Sequence, residues 1–224
     1  MRILLVTATF AEARSLLKTD NALNQPEVFS IGKCDVELLI TGVGGISTAW
    51  ALTKWFSSNP KPDLAINAGI AGSYKPDFQS GDVVVPVSDC FADSGIETDS
   101  GFQTLFEAGL EDPDRFPFRI GRIMADNRFI TMATSMLKPV NAITVATATG
   151  TAATIERLKS KYNPDIETME GSTFFYICSR ESIKFLAFRS VSNRVEPRNR
   201  DKWNIPLALN NLSEKLKEFI LMLE

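Results

Sequence analysis

Short apolar runs recur along this chain, and most of them end in a glycine-rich or polar turn that opens a helix. Residues 2–8, 36–40, 63–68, 82–86, 142–148, 166–168 and 184–191 read as strands. Residues 11–18, 46–56, 152–159, 171–180 and 205–223 read as helices. Strands buried on both faces, with helices between them, predict an α/β fold around a parallel or mixed sheet. Residues 91–123 break the alternation; rich in Asp, Gly, Pro and Phe, they read as an excursion over the sheet. At 224 residues, with no repeat or linker, the chain is expected to form one domain spanning 1–224.

Composition narrows the chemistry. There is no histidine, which removes Ser-His-Asp and Cys-His catalysis, histidine general bases and histidine-ligated metals. Acid–base work must fall to carboxylates, Lys, Tyr, Cys or Arg. A net charge of −3 without a basic stripe argues against a nucleic-acid partner. No apolar run approaches membrane-spanning length, so no membrane partner is expected. The apolar start at Met1 is followed by Thr7, Thr9 and Glu12 and reads as a buried strand rather than a signal. Cys34, Cys90 and Cys178 have neither metal nor disulfide spacing and fit a reducing cytoplasm.

Ligands of open α/β sheets collect at the carboxyl ends of strands. Glu12, residues 42–45, residues 67–72, residues 149–151, Met169-Glu170 and Ser192-Asn193 all fall there. The turn Thr41-Gly-Val-Gly-Gly45 lacks a P-loop lysine and reads as a tight strand-to-helix turn rather than a phosphate site. Asn67-Ala-Gly-Ile-Ala-Gly72 reads as a second glycine turn, open either to a ligand or to close backbone packing. It has no Lys or Arg nearby in sequence to hold a phosphate. Glu12 taken alone is a helix-dipole partner. Glu170 opens a helix in apolar surroundings, where a carboxylate needs hydrogen-bond partners such as the two hydroxyls of a ribose. Asp165 and Glu167 read as structural or exposed. The polar stretch 193–203 reads as a solvated loop, or as a meeting point for an anionic part of a substrate through its arginines.

These segments, in this order and spacing, resemble the nucleoside phosphorylase/nucleosidase superfamily over essentially the whole chain. The more specific elements are Glu167-Thr-Met169-Glu170 and Arg189-Ser-Val-Ser192-Asn193. The resemblance implies a three-layer α/β/α fold with a central mixed sheet, no metal, no organic cofactor, a small-molecule nucleoside substrate and a homodimer or larger homo-oligomer. It puts Glu12 where hydrolytic members keep a water-activating glutamate, and Met169 and Glu170 on the ribose. It puts the backbone of Ala153 and Thr154 against the base, with Ala153 replacing an aromatic that often stacks there. Ile70, in place of a frequent serine, is expected to line the pocket without a polar role. Arg198 and Arg200 are the candidates for the anionic part of the substrate.

Asn193 falls where adenine-type members keep an aspartate that protonates N7. Hypoxanthine offers an O6 acceptor where adenine offers an N6 donor. An ionised aspartate facing O6 would oppose two acceptors at a cost of about 1–3 kcal/mol. An asparagine amide donates to O6 and N7 instead, so a 6-oxopurine leaving group is expected, stabilised electrostatically rather than by proton transfer. The rivals are a purine nucleoside phosphorylase, for which Arg14 speaks, an adenine-releasing nucleosidase, and a nucleoside-binding protein without catalysis. Joint retention of Glu12 and Glu170 argues against the last.

Overall fold

Strand β1 (Arg2–Thr7) carries four consecutive apolar residues, and both of its faces are buried. Ile3 and Leu5 enter one core with Leu186, Phe188, Leu212 and Phe219; Leu4 and Val6 enter another with Leu52, Trp55, Phe174 and Phe175. Such two-sided burial is what a continuous apolar run in a covered sheet implies. The protein is seen in a computed structural model that describes residues 1–17, 28–99 and 101–223.

After β1 come α1 (Phe10–Leu17), β2 (Val28–Ile31), β3 (Cys34–Ile40), α2 (Gly45–Ser58), β4 (Leu64–Ser73) and β5 (Val83–Asp89). The excursion holds β6 (Gly95–Thr98), β7 (Gly101–Thr104), β8 (Phe118–Arg119) and β9 (Arg122–Met124). Then follow α3 (Arg128–Met136), β10 (Lys138–Thr144), α4 (Ala152–Tyr162), β11 (Ile166–Thr168), α5 (Gly171–Arg180), β12 (Phe185–Arg194) and α6 (Ile205–Leu221).

The sheet is mixed. β1 lies parallel to β3 and β4, with β2 as an antiparallel edge on β3. From β4 the ladder runs through β11 and β10 to β5, and β12 then pairs with both β4 and β5. The strands β4, β11, β10, β5 and β12 therefore close a ring. Ala71, Val84, Val140, Ala142, Ile166 and Val191 from these strands pack into one further apolar cluster. Helices α1, α3 and α6 contribute to the core on one face of β1, and α2 and α5 to that on the other, giving the three layers.

Several boundaries differ from the sequence reading. Residues 67–72 are not a turn: β4 stays extended to Ser73, held by a nine-residue register with β12. β10 starts at Lys138 and ends at Thr144. Helix α3 and strand β2 have no counterpart in the reading. In α3 the β-branched Ile130, Thr131 and Thr134 hid a helix whose start is marked by Asn127, which accepts from the Phe129 N–H. The excursion holds an antiparallel hairpin, β6–β7, and adds β9 and β8 to the sheet beyond β5. Lys18, expected at the end of the first helix, lies outside the described residues.

Candidate active site

A cavity of about 320 Å³ opens at the carboxyl ends of β1, β4 and β11. Glu12, Val43, Ile70, Gly72, Ala148, Thr149, Glu167, Met169, Glu170, Asn193, Arg198 and Trp203 are among the residues on its wall. Segments as far apart in the chain as Glu12 and Trp203 thus meet at one place, as the strand-end rule predicts.

Glu12 is buried in the first turn of α1. Its Oε2 accepts from the Ala8 N–H (3.1 Å), the Thr9 N–H (2.9 Å) and the Thr9 hydroxyl (3.0 Å). Its Oε1 accepts from the Ile70 N–H at 3.3 Å. Three short bonds fix one carboxylate oxygen; the other, with one long bond, keeps a lone pair available to the cavity. Gly69 makes this approach possible, because a Cβ there would stand 2.8 Å from Oε1.

Glu170 lies two residues past β11 at the N-cap position of α5, and its Oε1 accepts from the Gly44 N–H at 2.8 Å. Gly44 has φ +87° and caps α2, so the glycine turn at 41–45 offers its backbone to a carboxylate rather than to a phosphate. Burial raises the Glu170 pKa above its ordinary value; the Gly44 hydrogen bond and the Arg189 charge oppose the rise, and the Glu12 charge adds to it.

Beneath both carboxylates lies Arg189, fully buried in β12. It donates from Nη1 to the Asn67 carbonyl (2.8 Å) and the Phe188 carbonyl (3.0 Å), and from Nη2 to Asn67 Oδ1. Burial lowers its pKa, against the charges of Glu170, Glu12 and Asp89. This arginine supplies the basic group beside residues 67–72 that a local search of the sequence fails to find. The signal was there: an arginine inside an apolar strand must be paired. Three of its five N–H donors go to Asn67 and Phe188, and it supports the site from below without lining the cavity.

Asp89, buried behind the start of α5, accepts from the Cys90 N–H (2.8 Å), the Thr144 hydroxyl (3.0 Å) and the Ser172 hydroxyl (2.7 Å). Burial raises its pKa to about 6 despite those bonds and the charges of Arg122 and Arg189.

Asn193 follows a slip in the β12–β4 register between Val191 and Asn193, the mark of a bulge that re-aims a side chain at a strand end. Its Oδ1 accepts from the Ser192 hydroxyl (2.7 Å), and its Nδ2 donates to the Arg194 carbonyl (2.8 Å), leaving a second N–H.

The cavity collects Glu12, Ile70, Met169, Glu170, Asn193 and Arg198. It does not collect Ala153, Thr154 or Arg200. Ala153 is exposed on the first turn of α4, and the Thr154 N–H is taken by the capping Thr151 hydroxyl at 3.3 Å. Ala148 and Thr149, just upstream, form that part of the wall. Arg200 lies over the Trp203 ring at 5.9 Å, with Arg198 over the same ring at 5.6 Å. Arg14 is exposed on α1 and is not on the wall. Glu167 is not exposed, as the sequence allowed, but a buried part of the wall. Among the described residues no cluster of His, Cys, Asp and Glu is arranged to hold a metal ion, and no helix is long and apolar enough to cross a membrane.

A mixed sheet with helices on both faces, two buried carboxylates and an amide at its strand ends defines a family of α/β proteins. This chain belongs to the phosphorylase superfamily, whose sequence profile matches residues 2–221. A futalosine hydrolase from Streptomyces coelicolor is 32% identical over 194 residues, covering 84% of this chain and 80% of that protein. A 5′-methylthioadenosine/S-adenosylhomocysteine nucleosidase from Buchnera aphidicola is 23% identical, covering 97% of this chain and 95% of that protein. The solved structure of the corresponding nucleosidase from S. pneumoniae superposes with a TM-score of 0.81 at 19% identity, covering 100% of both chains.

Proposed function

We propose that this protein hydrolyses the N-glycosidic bond of futalosine, releasing hypoxanthine and dehypoxanthine futalosine, in the alternative route to menaquinone. The observation that carries the reading is Asn193 on the same cavity wall as Glu12 and Glu170. The similarity to futalosine hydrolases supports it.

Glu170 accepts the ribose hydroxyls, with Met169 against the ring. As the C1′–N9 bond stretches, its electron pair leaves with the purine and the sugar becomes oxocarbenium-like. Water held at Glu12 Oε1 gives its proton to that carboxylate as its oxygen bonds to C1′. The spare N–H of Asn193 donates to the N7/O6 edge, stabilising the departing base, which takes a proton from solvent. Arg198, at the rim, meets the benzoate carboxylate.

The homo-oligomer belongs to this reading. Ile46 (90% exposed) and Trp50 (66%) form a stripe one turn apart on α2, running from Val43 at the cavity wall. A second copy is placed on it; Trp50→Lys then gives a monomer by light scattering.

The test of function offers futalosine, inosine and methylthioadenosine, each with and without phosphate, and identifies the free base. Hypoxanthine released from futalosine without phosphate is expected. Strict phosphate dependence would make the protein a phosphorylase. Release of adenine in preference would make it a nucleosidase for methylthioadenosine or aminodeoxyfutalosine, a reading the Buchnera relative keeps in view. Binding without turnover would make it a nucleoside carrier.

A further inference from the structure

Glu167 has no part in the scheme above, yet its carboxylate is one of the cavity's few charged groups. It is 8% exposed, lies on the wall, and is held from both sides. Its Oε1 accepts from the Thr149 N–H at 2.9 Å; its Oε2 accepts from the Tyr74 hydroxyl at 2.7 Å and from the Thr149 hydroxyl. A carboxylate offers about four acceptor positions, so three donors leave one.

The strand register and the shared cavity wall set Glu167 beside Asn193. Glu167 on β11 pairs with Gly72 on β4, and Asn193 on β12 pairs with the same Gly72 from the other side. Directly paired residues point to the same face of a sheet. Glu167 and Asn193 therefore rise on either side of a residue that has no side chain. Their Cα atoms are two strand spacings apart, about 9–10 Å. A Cβ on Gly72 would come within 2.8 Å of Val195 Cγ2 and 3.4 Å of Asn193 Nδ2, so the floor between the two polar groups is kept flat by necessity. A slot with a bare floor, a donor on one side and an acceptor on the other suits the edge of a planar ring.

We propose that Glu167 is a specificity-determining residue that accepts the N1–H of a 6-oxopurine while Asn193 donates to the neighbouring O6. The inference rests on the reading of the previous subsection and deepens it. A 6-oxopurine presents O6 as acceptor and N1–H as donor side by side, matching the amide and the carboxylate in that order. A 6-aminopurine reverses both: its amino group is a donor and its N1 an acceptor. A carboxylate cannot donate, so adenine at this slot opposes two acceptors. The Tyr74 and Thr149 bonds stop the carboxylate from turning away.

The test compares wild type and Glu167→Gln on futalosine and its 6-amino counterpart, and on inosine and adenosine. A glutamine can donate to an unprotonated N1. The ratio of kcat/KM for the 6-oxo over the 6-amino substrate is expected to fall about 10- to 100-fold in the variant, mostly through loss on the 6-oxo member. An unchanged ratio, or an equal loss on both substrates, overturns the proposal and leaves Glu167 as a brace for Thr149. If the variant does not fold, wild type alone decides. Adding a methyl group at N1 of inosine removes the donor and is expected to cost at least tenfold, whereas tolerance within about twofold overturns the proposal. Wild type that releases no hypoxanthine from any 6-oxo nucleoside overturns the futalosine reading and this one together. An active wild type with an unchanged ratio overturns only this one.

Discussion

Where β1, β4 and β11 stop, polar groups on and beneath the cavity wall reach parts of the chain far away in sequence: Glu12, besides its bonds to nearby Ala8 and Thr9, to Ile70, Glu170 to Gly44, and the underlying Arg189 to Asn67. Along residues 193–203 the side chains mostly meet near neighbours. Asn193 holds Ser192 and Arg194, Glu196 pairs with Lys202, and Arg198 and Arg200 lie over Trp203. In the proposed reaction the first region holds the sugar, the water and, through Glu167, one side of the base, and the second holds the other side of the base and what extends beyond it. A cross-linked region cannot be altered at one residue without stranding a buried charge. A locally bonded loop can exchange side chains without disturbing the fold. In that scheme the chemistry falls where change is costly, and the choice of substrate is divided between the braced Glu167 and a loop where change is cheap.

The largest effect is expected at the braced end. Glu12→Gln should reduce kcat about 10²- to 10⁴-fold in a base-release assay, and a loss under tenfold would remove Glu12 from the water. Arg189→Met strands the charges of Glu12, Glu170 and Asp89 and should cost about 3–5 kcal/mol in urea unfolding; a cost below 1 kcal/mol would show the two regions to be alike. Asp89 tests the same bracing through pH. Its folded pKa is raised from 3.8 to about 6, so the folded form holds its proton more tightly than the unfolded chain. Its stabilising contribution is complete below about pH 4 and is lost as pH rises through 6, by up to about 3 kcal/mol. Asp89→Asn should therefore flatten the dependence of Tm on pH over that interval, and an unchanged slope would contradict the shift.

At the adaptable end the effects are smaller and fall on selectivity. Asn193→Asp should turn the preference toward 6-aminopurines by about 5- to 100-fold in kcat/KM with Tm nearly unchanged; a large fall in Tm would place Asn193 in the braced region after all. Arg198→Ala should raise KM for futalosine a few-fold and leave inosine untouched, as befits an exposed charge. Equal KM values for futalosine in variant and wild type would end its role with the benzoate.

What could be read from the sequence follows the same division, though not in its favour throughout. The continuous apolar run of β1 announced a strand covered on both sides, and Glu12, Met169, Glu170 and Asn193 announced themselves by lying at strand ends. Arg189 and Glu167 were harder. Each is a charge inside a buried strand, a pattern that says only that a partner exists. The partners, Asn67 for one and Tyr74 with Thr149 for the other, are brought in by strand pairings that no local pattern specifies. Residues 67–72 read as a turn in sequence because glycine is common in turns. Here two of the glycines clear space, Gly69 for the Glu12 carboxylate and Gly72 for Val195 and Asn193. Ala153 and Thr154 stand outside the cavity because the helix start at Thr151 uses the Thr154 N–H for itself.

The ring of strands has a consequence for how the molecule is made. Its closing member, β12, is the last strand in the chain, yet it lies between β4 and β5, which are complete about a hundred residues earlier. During synthesis, β4 and β5 must wait with open edges until residues 185–194 leave the ribosome, and Glu12 and Glu170 wait with them for Arg189. A chain stopped short of β12 would thus lack both the arginine beneath Glu12 and Glu170 and its seam, exposing unpaired strands of the kind that draw other chains into aggregates.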